Sequence, residues 1–571
     1  MFSNTKKVPG RVPFFYPLIL RAARRNPRLI FAGVIAALAG IVYLPFLGNP
    51  LVFDDLVFFS GAGFADYAST PFSGSLRNLP YFSLAFTQIM WGQFPPWYHA
   101  EIHRIGNLAL HVACALVLYK LLYDLLRATE ATPGVGSPQE TRAHAHGLAF
   151  IGAAFFVIHP VAVYGAAYLV QRTIILATLF SLLSIIYFVR GLAHGNRTDA
   201  LIAALFYTLA VFSKEHSVLL PLAAVMAIPL LAKNIRSTMR YAAVYLLACL
   251  PAAVTAVALL RWLIGKAYEP HFAELVAEQA GIPDLGIASG PWLVSAITQS
   301  GLFFRYLAAW LMPDTAAMSI DIRIDFLQGW SPGWILLKLV AFGAFGALGL
   351  TLLFKRGKTG LAGFGLLYFL ILFIVEFSTA RFQEPFVLYR SYLWAPGILI
   401  ACIAALSGFS RKVALAVFIA ACPVLLYQAH DRLQTFSSNL ALWADAAAAE
   451  KLPSAPVPWG WRPLFNLARE QTHAGQARQA IETINHCLSR YTGSSRCYFA
   501  RGAIHNYFRE YEKALPDLDR ALAIYPDFAV AHYQRGLALE KLGRLDEARA
   551  EYRKSFRRGY FGASRTSPEP E

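Results

Sequence analysis

Residues 29–55 read LIFAGVIAALAGIVYLPFLGNPLVFDD, and this segment sets the architecture of the chain. Its first 19 residues are apolar, which is about the length that a helix needs to cross a bilayer. A secretory signal has a shorter apolar region and ends at a small-residue cleavage site. Basic residues precede the run, and Asp54 and Asp55 follow it. The segment therefore predicts an uncleaved first span with its basic end in the cytoplasm and two carboxylates on the opposite face.

Charged residues are unevenly distributed over the 571 residues. Residues 1–429 hold 49 of the 85 charged residues, about 11% of that part, whereas residues 430–571 hold 36, about a quarter. Soluble domains carry about 25%. This distribution predicts a membrane part followed by a soluble part and excludes a wholly soluble enzyme, a disordered chain and a disulfide-stapled secreted module. The net charge of +17 fits orientation signals of a membrane protein, and no nucleic-acid motif is present.

Apolar runs beyond the first predict a polytopic bundle of about 11 spans. When the chain crosses alternately, the short basic turns all fall on one side, as the positive-inside rule requires. If residues 294–312 formed a full span, the basic turn at Lys355 would fall on the opposite side. They are therefore interpreted as a re-entrant or interfacial helix. The C-terminal part then lies outside the cytoplasm, together with the long loops. The ten further runs are 104–126, 147–166, 172–190, 200–213, 217–232, 241–263, 333–354, 361–377, 392–408 and 412–428.

A period of 34 residues begins near residue 461. It relates Ala480, Ala514 and Ala548, and a parallel series of small residues precedes each of them. Small residues at this spacing let two helices of a repeat approach closely, which is typical of tetratricopeptide repeats. We expect about three units and a protein or peptide bound in their groove, with a purely structural cap as the alternative. Cys487 and Cys497 could form a disulfide or remain two buried thiols.

The predicted organisation is all-α throughout. It consists of a cytoplasmic basic N-terminus (1–28), a transmembrane domain (29–429), a linker (430–460), a tetratricopeptide α-solenoid (461–558) and a flexible tail (559–571).

Asp54 and Asp55 are the sharpest candidates for chemistry, because acids at a membrane edge are costly and usually functional. One of them could remove the proton from an acceptor hydroxyl while the other positions the acceptor or a metal. The alternative is an ordinary loop start or helix cap. His103 and His111 are two helical turns apart, which does not favour a shared ion. No cofactor is therefore certain, and a divalent cation is left open.

Cations on the same predicted face suit a lipid phosphate, since guanidinium groups offer a bidentate fork to phosphate oxygens. The candidates for binding the donor phosphate are Arg172, Lys214 and Arg390. Simple anchoring at the interface is the alternative for each of them. The residues predicted to support the site are His103, His159, Glu215 and Arg381.

Several segments carry a family resemblance. They are FDD (53–55), RNLPYFSLAF (77–86), HRIGNLALH (103–111), FFVIHPVAVYGAAYLVQR (155–172), FSKEHSVLLPL (212–222), YLAAWLMPDTAAMSIDI (306–322) and LYRSYLWAPGIL (388–399). In sequence and in order they resemble the transmembrane and tetratricopeptide-repeat O-mannosyltransferases of animals and their bacterial relatives, within the wider GT-C class of membrane glycosyltransferases. The resemblance implies a sugar donor linked to polyprenyl or dolichyl phosphate and a catalytic acid in the first outer loop.

Two departures from the family limit what can be transferred. Gln171-Arg172 stands where relatives often have Gly-Arg, and the repeats are fewer than in the animal proteins, so the acceptor cannot be carried over. We expect a GT-C glycosyltransferase of the bacterial inner membrane, with periplasmic repeats, that moves a sugar from a polyprenyl-phosphate donor to a protein hydroxyl. The expected partners are the lipid donor, a protein acceptor held by the repeats and membrane lipid. A lipid or polysaccharide acceptor and a non-enzymatic scaffold are the alternatives.

Overall fold

The structure is a computed structural model. It describes residues 27–60, 66–67, 69–70, 74–91, 96–129, 137–232, 235–267, 290–324, 331–450, 457, 459–558 and 560. These residues form α-helices, short 3-10 turns and two isolated β-bridges, without a strand in the described ranges. The all-α prediction is confirmed. Nearly all of the predicted N-terminal segment 1–28 and tail 559–571 lie outside the described residues.

Seventeen helices precede the repeats in the described part of the chain. They are α1 (Pro27–Tyr43), α2 (Asp54–Ser60), α3 (Asn78–Trp91), α4 (Pro96–Thr129), α5 (Pro138–Ile158), α6 (Pro160–Ala166), α7 (Arg172–His194), α8 (Arg197–Ser213), α9 (Leu220–Val225), α10 (Ala227–Leu231), α11 (Ile235–Leu260), α12 (Pro291–Leu311), α13 (Pro332–Phe354), α14 (Gly357–Phe373), α15 (Ala395–Leu406), α16 (Arg411–Thr435) and α17 (Asn439–Glu450).

Within the described ranges, eight helical segments are long and apolar enough to cross a bilayer. The predicted runs 200–213, 217–232 and 392–408 instead form shorter helices, so the figure of about 11 crossings stays a prediction. Helix α12 has 21 residues but is not one of the eight, and whether it crosses also stays open. The eight segments are Arg28–Phe46, Ala100–Thr129, Pro138–Ile158, Leu169–His194, Arg236–Leu260, Pro332–Phe354, Gly357–Ser378 and Arg411–Thr435.

Helix α13 illustrates why a bilayer must surround this bundle. Nearly all of its side chains are apolar, yet Trp334, Leu336, Leu337 and Val340 are all more than half exposed. Burying an aliphatic or aromatic side chain is worth about 1.5–3 kcal/mol, so a whole helix of exposed apolar residues is unfavourable in water. The helix is therefore lipid-facing, and the chain is a polytopic membrane protein.

Helices α14 and α15 pack at unusually short range. A Cβ atom built on Gly365 would lie 2.4 Å from the carbonyl oxygen of Gly397, and one on Gly397 would lie 2.6 Å from the carbonyl oxygen of Gly365. Small residues at a helix contact let backbones approach closely, which drives association in membranes. This contact fixes the end of α14, where several charged residues lie.

The helices connect two chemically different ends of the bundle. Helix α8 begins at Arg197 and ends before Lys214, and α14 begins in the basic turn 355–358 and ends before Glu376. At the basic end, the ammonium group of Lys358 donates to the carbonyl oxygen of Ser407 at 2.9 Å. Since a 17-residue helix is about 25 Å long, the basic turns and the outer loops lie on opposite sides of the bundle.

The C-terminal region folds into three helical hairpins. They are α18 (Trp461–His473) with α19 (Ala477–Arg490), α20 (Ser495–Tyr507) with α21 (Tyr511–Ile524), and α22 (Ala529–Lys541) with α23 (Leu545–Arg557). Hairpins begin at residues 461, 495 and 529, so the predicted 34-residue period is confirmed. The small residues have the predicted role: a Cβ atom on Gly502 would lie 2.7 Å from the Leu518 side chain, and one on Gly536 would lie 2.8 Å from Tyr552.

The predicted linker 430–460 is largely helical where it is described. Helix α17 packs Leu442, Trp443 and Ala446 into the core of the membrane domain. The adjacent Ala447 belongs to the core of the first repeat, with Leu464. Helix α17 therefore joins the two domains through direct packing.

Cys487 and Cys497 are joined by a disulfide in the structure. Cys487 lies in α19 and Cys497 in α20, so the bond ties the first hairpin to the second. Of the two alternatives that the sequence leaves open, the structure has the disulfide.

Candidate active site

Asp55 is buried at the start of α2. Its carboxylate accepts hydrogen bonds from the backbone N–H groups of Leu169 (3.2 Å) and Val170 (2.8 Å) in the 3-10 turn that precedes α7. Burial raises the pKa of Asp55 to about 7, although the two N–H groups and Arg104 oppose the shift. Asp55 therefore ties the first outer loop to the base of α7.

Asp54 has a different environment although it is the preceding residue. It keeps solvent exposure, and its backbone N–H donates to the hydroxyl of Tyr168 at 3.1 Å. Desolvation by the surrounding protein raises the pKa of its carboxyl, whereas Tyr168, Arg462 and Lys214 lower it by smaller amounts. A carboxylate with a raised pKa, open to solvent, is suited to accept a proton.

The residue before this pair has a strained backbone. Phe53 has φ of +53°, a region that bulky residues rarely occupy. Its ring packs against Trp443 of α17 (centroids 5.5 Å apart) and Tyr168 (6.0 Å), and the guanidinium of Arg462 lies over it at 5.2 Å. Strain of this kind persists where surrounding contacts enforce it, and it clusters at functional sites.

A buried ionic cluster lies at the end of α14. Its centre is Glu376, which is completely buried. One carboxylate oxygen lies 3.0 Å from Nε of Arg381 and 3.1 Å from Nη1 of Arg390, and the other lies 3.1 Å from Nε2 of His216. Buried charges need such partners because desolvation is costly. The cluster fixes the outer loop 378–391 against the 3-10 turn Glu215–Leu219.

Glu215 belongs to a second ion pair at the same end of the bundle. The guanidinium of Arg77 approaches it with two nitrogens, and the Nε–Oε2 distance is 2.9 Å. Since Arg77 precedes α3, this fork holds the first outer loop against the turn that carries Lys214.

Lys214 is a buried cation at the same end of the bundle. It is 5% exposed, and its ammonium group lies 5.7 Å from the centroid of the Tyr389 ring. Within the described residues, no carboxylate comes within 4.0 Å of it. Burial lowers the pKa of Lys214 to about 7, and Arg77 adds to the shift. A buried ammonium without an anion is poised to bind one from a ligand.

Arg462, at the start of the repeats, also reaches this end. Its Nε lies 3.6 Å from Oδ2 of Asp321, and its Nη1 lies 3.7 Å from Oε1 of Glu384. Burial would raise the pKa of Glu384, but Arg462 and Arg390 outweigh it and lower that pKa. The repeat domain therefore contributes a charge to the outer face of the membrane domain.

The structure brings together six of the nine residues predicted from the sequence. These are Asp54, Asp55, Lys214, Glu215, Arg381 and Arg390.

The other three have contacts of a structural kind. Arg172 donates to neutral oxygens, among them Asn107 Oδ1 (2.7 Å) and the His103 carbonyl (3.0 Å), so it holds α4 against α7. His103 contacts Gln88. His159 accepts from the backbone N–H of Val161 as the N-cap of α6, and its ring stacks on Trp310 at 4.3 Å.

Sequence reasoning missed Glu376, Arg77 and Arg462. The sequence does indicate Glu376, because an acid inside the predicted apolar run 361–377 is a functional candidate. The sequence does not indicate Arg462, since it belongs to a repeat whose composition is typical of a soluble domain. Groups of three or more residues with metal-ligand side chains are absent from the described part of the chain, and the divalent cation stays a prediction.

Comparisons with known proteins support the repeats most directly. A family model described as "Tetratricopeptide repeat" matches residues 518–550. DnaJ homolog subfamily C member 3 from Mus musculus is 31% identical over 90 residues, 16% of this chain and 18% of that protein. The Homo sapiens protein of that name is 30% identical over the same shares. The chain thus spans less than a fifth of the length of these relatives.

A solved structure also aligns with part of the chain at low identity. It is described as the archaeal oligosaccharyltransferase AglB from Archaeoglobus fulgidus in complex with an inhibitory peptide and a dolichol-phosphate. The alignment covers 80% of this chain and 59% of that one, with a TM-score of 0.38 and 14% identity. The O-mannosyltransferase resemblance stays a prediction, and a function for this chain has to be argued from its own side chains.

Proposed function

We propose that this chain is an integral-membrane glycosyltransferase that moves a sugar from a polyprenyl-phosphate donor to a protein hydroxyl. The observation that carries the proposal is that an exposed carboxylate and a buried cation lie at the same end of the bundle. The carboxylate is Asp54, and the cation is Lys214, which has no carboxylate within 4.0 Å among the described residues. A base and a phosphate-binding cation on one face are what glycosyl transfer from a lipid phosphate requires.

The chemistry is an inverting displacement. Asp54 accepts the proton of the acceptor hydroxyl while the oxygen of that hydroxyl forms a bond to the anomeric carbon. The bond from that carbon to the phosphate oxygen breaks, and the electron pair leaves with the lipid phosphate. Lys214 holds the phosphate and stabilises the charge that develops on it. Arg390 contributes less, because Glu376 and Glu384 neutralise it.

Three features bear on the remaining parts of the proposal. The lipid-facing helix α13 is consistent with a donor that enters from the bilayer. The repeats offer a surface for a protein acceptor. The basic turns at the opposite end, together with the disulfide in the repeats, favour an active face outside the cytoplasm, in the periplasm of a bacterial inner membrane. Arg172, His103 and His159 are left out of the donor site.

Replacing the base tests the assignment. The full-length protein, in lipid nanodiscs, receives radiolabelled polyprenyl-phosphate sugars and envelope proteins from cells that lack the gene. Asp54→Asn keeps the size of the side chain but cannot accept the proton, so turnover should fall about 10²- to 10⁴-fold. Asp546→Asn, on the exposed surface of α23, is the matched control and should transfer normally. Turnover of Asp54→Asn close to that of the control would contradict the assignment.

The acceptor is tested by intact-mass analysis of envelope proteins from cells with and without the gene. Loss of a discrete sugar mass from a protein supports the proposed acceptor. An unchanged protein profile with altered lipids or glycans would assign the same chemistry to a lipid or polysaccharide. Transfer to none of the three would leave the membrane scaffold as the better interpretation.

A further inference from the structure

The side chain of Arg462 lies against the membrane domain and is far less exposed than that of another arginine of the same helix. It is the second residue of α18, and 15% of its side chain is exposed, whereas Arg469 of the same helix is 48% exposed. Its guanidinium covers the ring of Phe53, the residue that directly precedes Asp54. The first repeat therefore reaches the loop that carries the proposed base.

Two loops of the membrane domain hold this guanidinium in place. Asp321 is itself paired with Arg323 two residues later, and Glu384 lies 3.5 Å from Nη2 of Arg390. An isolated antiparallel bridge between Ile322 and Phe386 ties the two loops together. Arg462 thus lies between Asp321 and Glu384, carboxylates of two loops that are joined to each other.

One donor group of Arg462 is unused. Nη1 is buried, and among the described residues it makes no hydrogen bond, because the Oε1 atom of Glu384 is 3.7 Å away. A buried N–H group without a partner is costly. The charge of Arg462 also interacts with Asp54.

We propose that Arg462 is a positioning residue of the transfer site, contributed by the repeat domain, which keeps Asp54 and its loop in the state that accepts a proton. This inference rests on the proposed function and deepens it. The repeats are then part of the active site as well as a surface for the acceptor. Loss of Arg462 should impair transfer to every acceptor, including a small hydroxyl compound that cannot occupy the repeat groove.

The charge balance around Asp54 gives the sign of the effect. Arg462 and Lys214 favour the ionised carboxylate, whereas Glu384 disfavours it. Removing Arg462 should raise the pKa of Asp54 further, so that a larger fraction is protonated at neutral pH and unable to act as a base. Among the described residues, the titratable and charged groups that interact with Asp54 are Tyr168, Asp55, Lys214, Glu384, Tyr389 and Arg462.

The test compares three single variants of the full-length chain. Arg462→Met removes the charge and keeps much of the apolar stem, Arg462→Lys restores a charge, and Arg469→Met is the matched control on the same helix. Reaction of the Asp54 carboxyl with a carbodiimide and an amine is followed against pH by peptide mass spectrometry. The midpoint should move up by about 0.5–1 pH unit in Arg462→Met, return toward the wild-type value in Arg462→Lys and stay unchanged in Arg469→Met.

Sugar transfer is measured on the same proteins against pH. The acidic limb of the rate profile should shift upward in Arg462→Met, while the affinity for polyprenyl phosphate stays unchanged. Identical labelling midpoints in Arg462→Met and the control would overturn the inference and leave Arg462 a domain clamp. If the midpoint shifts but the wild-type protein transfers no sugar, the proposed function fails while the coupling of Arg462 to Asp54 stands. The two failures are therefore distinguishable.

Discussion

Asp54 and Asp55 are adjacent in sequence, and their environments assign them different roles. Both carboxylate oxygens of Asp55 accept hydrogen bonds from backbone N–H groups in the turn before α7, whereas Asp54 stays accessible. The pair could be picked out from the sequence because acids are rare beside a membrane span. Which of the two stays accessible could not be predicted, because that depends on where the turn at Leu169 lies in space. Asp55 is buried and held by these two backbone donors, which suits an anchor, and the proposed base is therefore Asp54.

The three predicted phosphate-binding cations also differ once their neighbours are known. Arg172 lies among neutral oxygens, Arg390 lies between Glu376 and Glu384, and Lys214 has an aromatic ring beside it. Residue type and loop position cannot distinguish these cases, because the acids that neutralise Arg390 come from other segments. Lys214 consequently has the strongest case for contacting a donor phosphate.

The lowered pKa of Lys214 predicts how donor binding depends on pH. The ammonium is charged below about pH 7 and loses its proton above it. Polyprenyl phosphate should therefore bind the wild-type protein more weakly as the pH rises from 7 to 9. Lys214→Arg keeps its charge throughout and should show a flatter profile, while Lys214→Gln should bind weakly at every pH. The measurement is the dissociation constant in nanodiscs against pH. A wild-type profile that matches Lys214→Gln would contradict the role.

At the scale of single elements, the predictable parts were those with a local pattern. The repeat helices α18–α23 follow from a 34-residue period, and the long spans follow from apolar runs. The run 200–213 lies within the 17-residue helix α8, whereas 217–232 and 392–408 form shorter helices than the runs suggest, with 3-10 turns over their first residues. Helix α17 was expected as part of a linker, since its alanine-rich sequence does not reveal that two cores cover it.

The disulfide between α19 and α20 should stabilise the repeats. Closing a loop of about ten residues is worth about 2–3 kcal/mol in the chain-entropy model. The double variant Cys487→Ser with Cys497→Ser should therefore unfold at a lower temperature, and a reductant should lower the wild-type midpoint to the same value. Cys402→Ser, at a half-buried free thiol, is the control and should leave this reductant effect intact. Alkylation of both thiols in the wild-type protein without reductant would show that the bond does not form.

At the scale of the whole molecule, charge separates the two ends of the bundle. The basic turns lie at one end, and the carboxylates, Lys214 and the repeats lie at the other. Periodicity and the positive-inside rule could predict this polarity, because both are summed over many residues. The packing of α18 against loops 321–323 and 384–390 could not be predicted, because it joins segments distant in sequence. This packing joins the repeats to the end of the membrane domain that carries Asp54 and Lys214.

The polarity of the bundle leads to a prediction about orientation. Because basic turns stay in the cytoplasm, the repeats and the proposed active face should both be outside it. In a background with Cys402→Ala and Cys422→Ala, Asp546→Cys places a thiol on the repeat surface and Lys412→Cys places one in a basic turn. A membrane-impermeant maleimide should label Asp546→Cys in intact spheroplasts and Lys412→Cys after lysis. The reverse pattern would place Asp54 and Lys214 in the cytoplasm, where a donor that carries its sugar on the outer leaflet could not reach them.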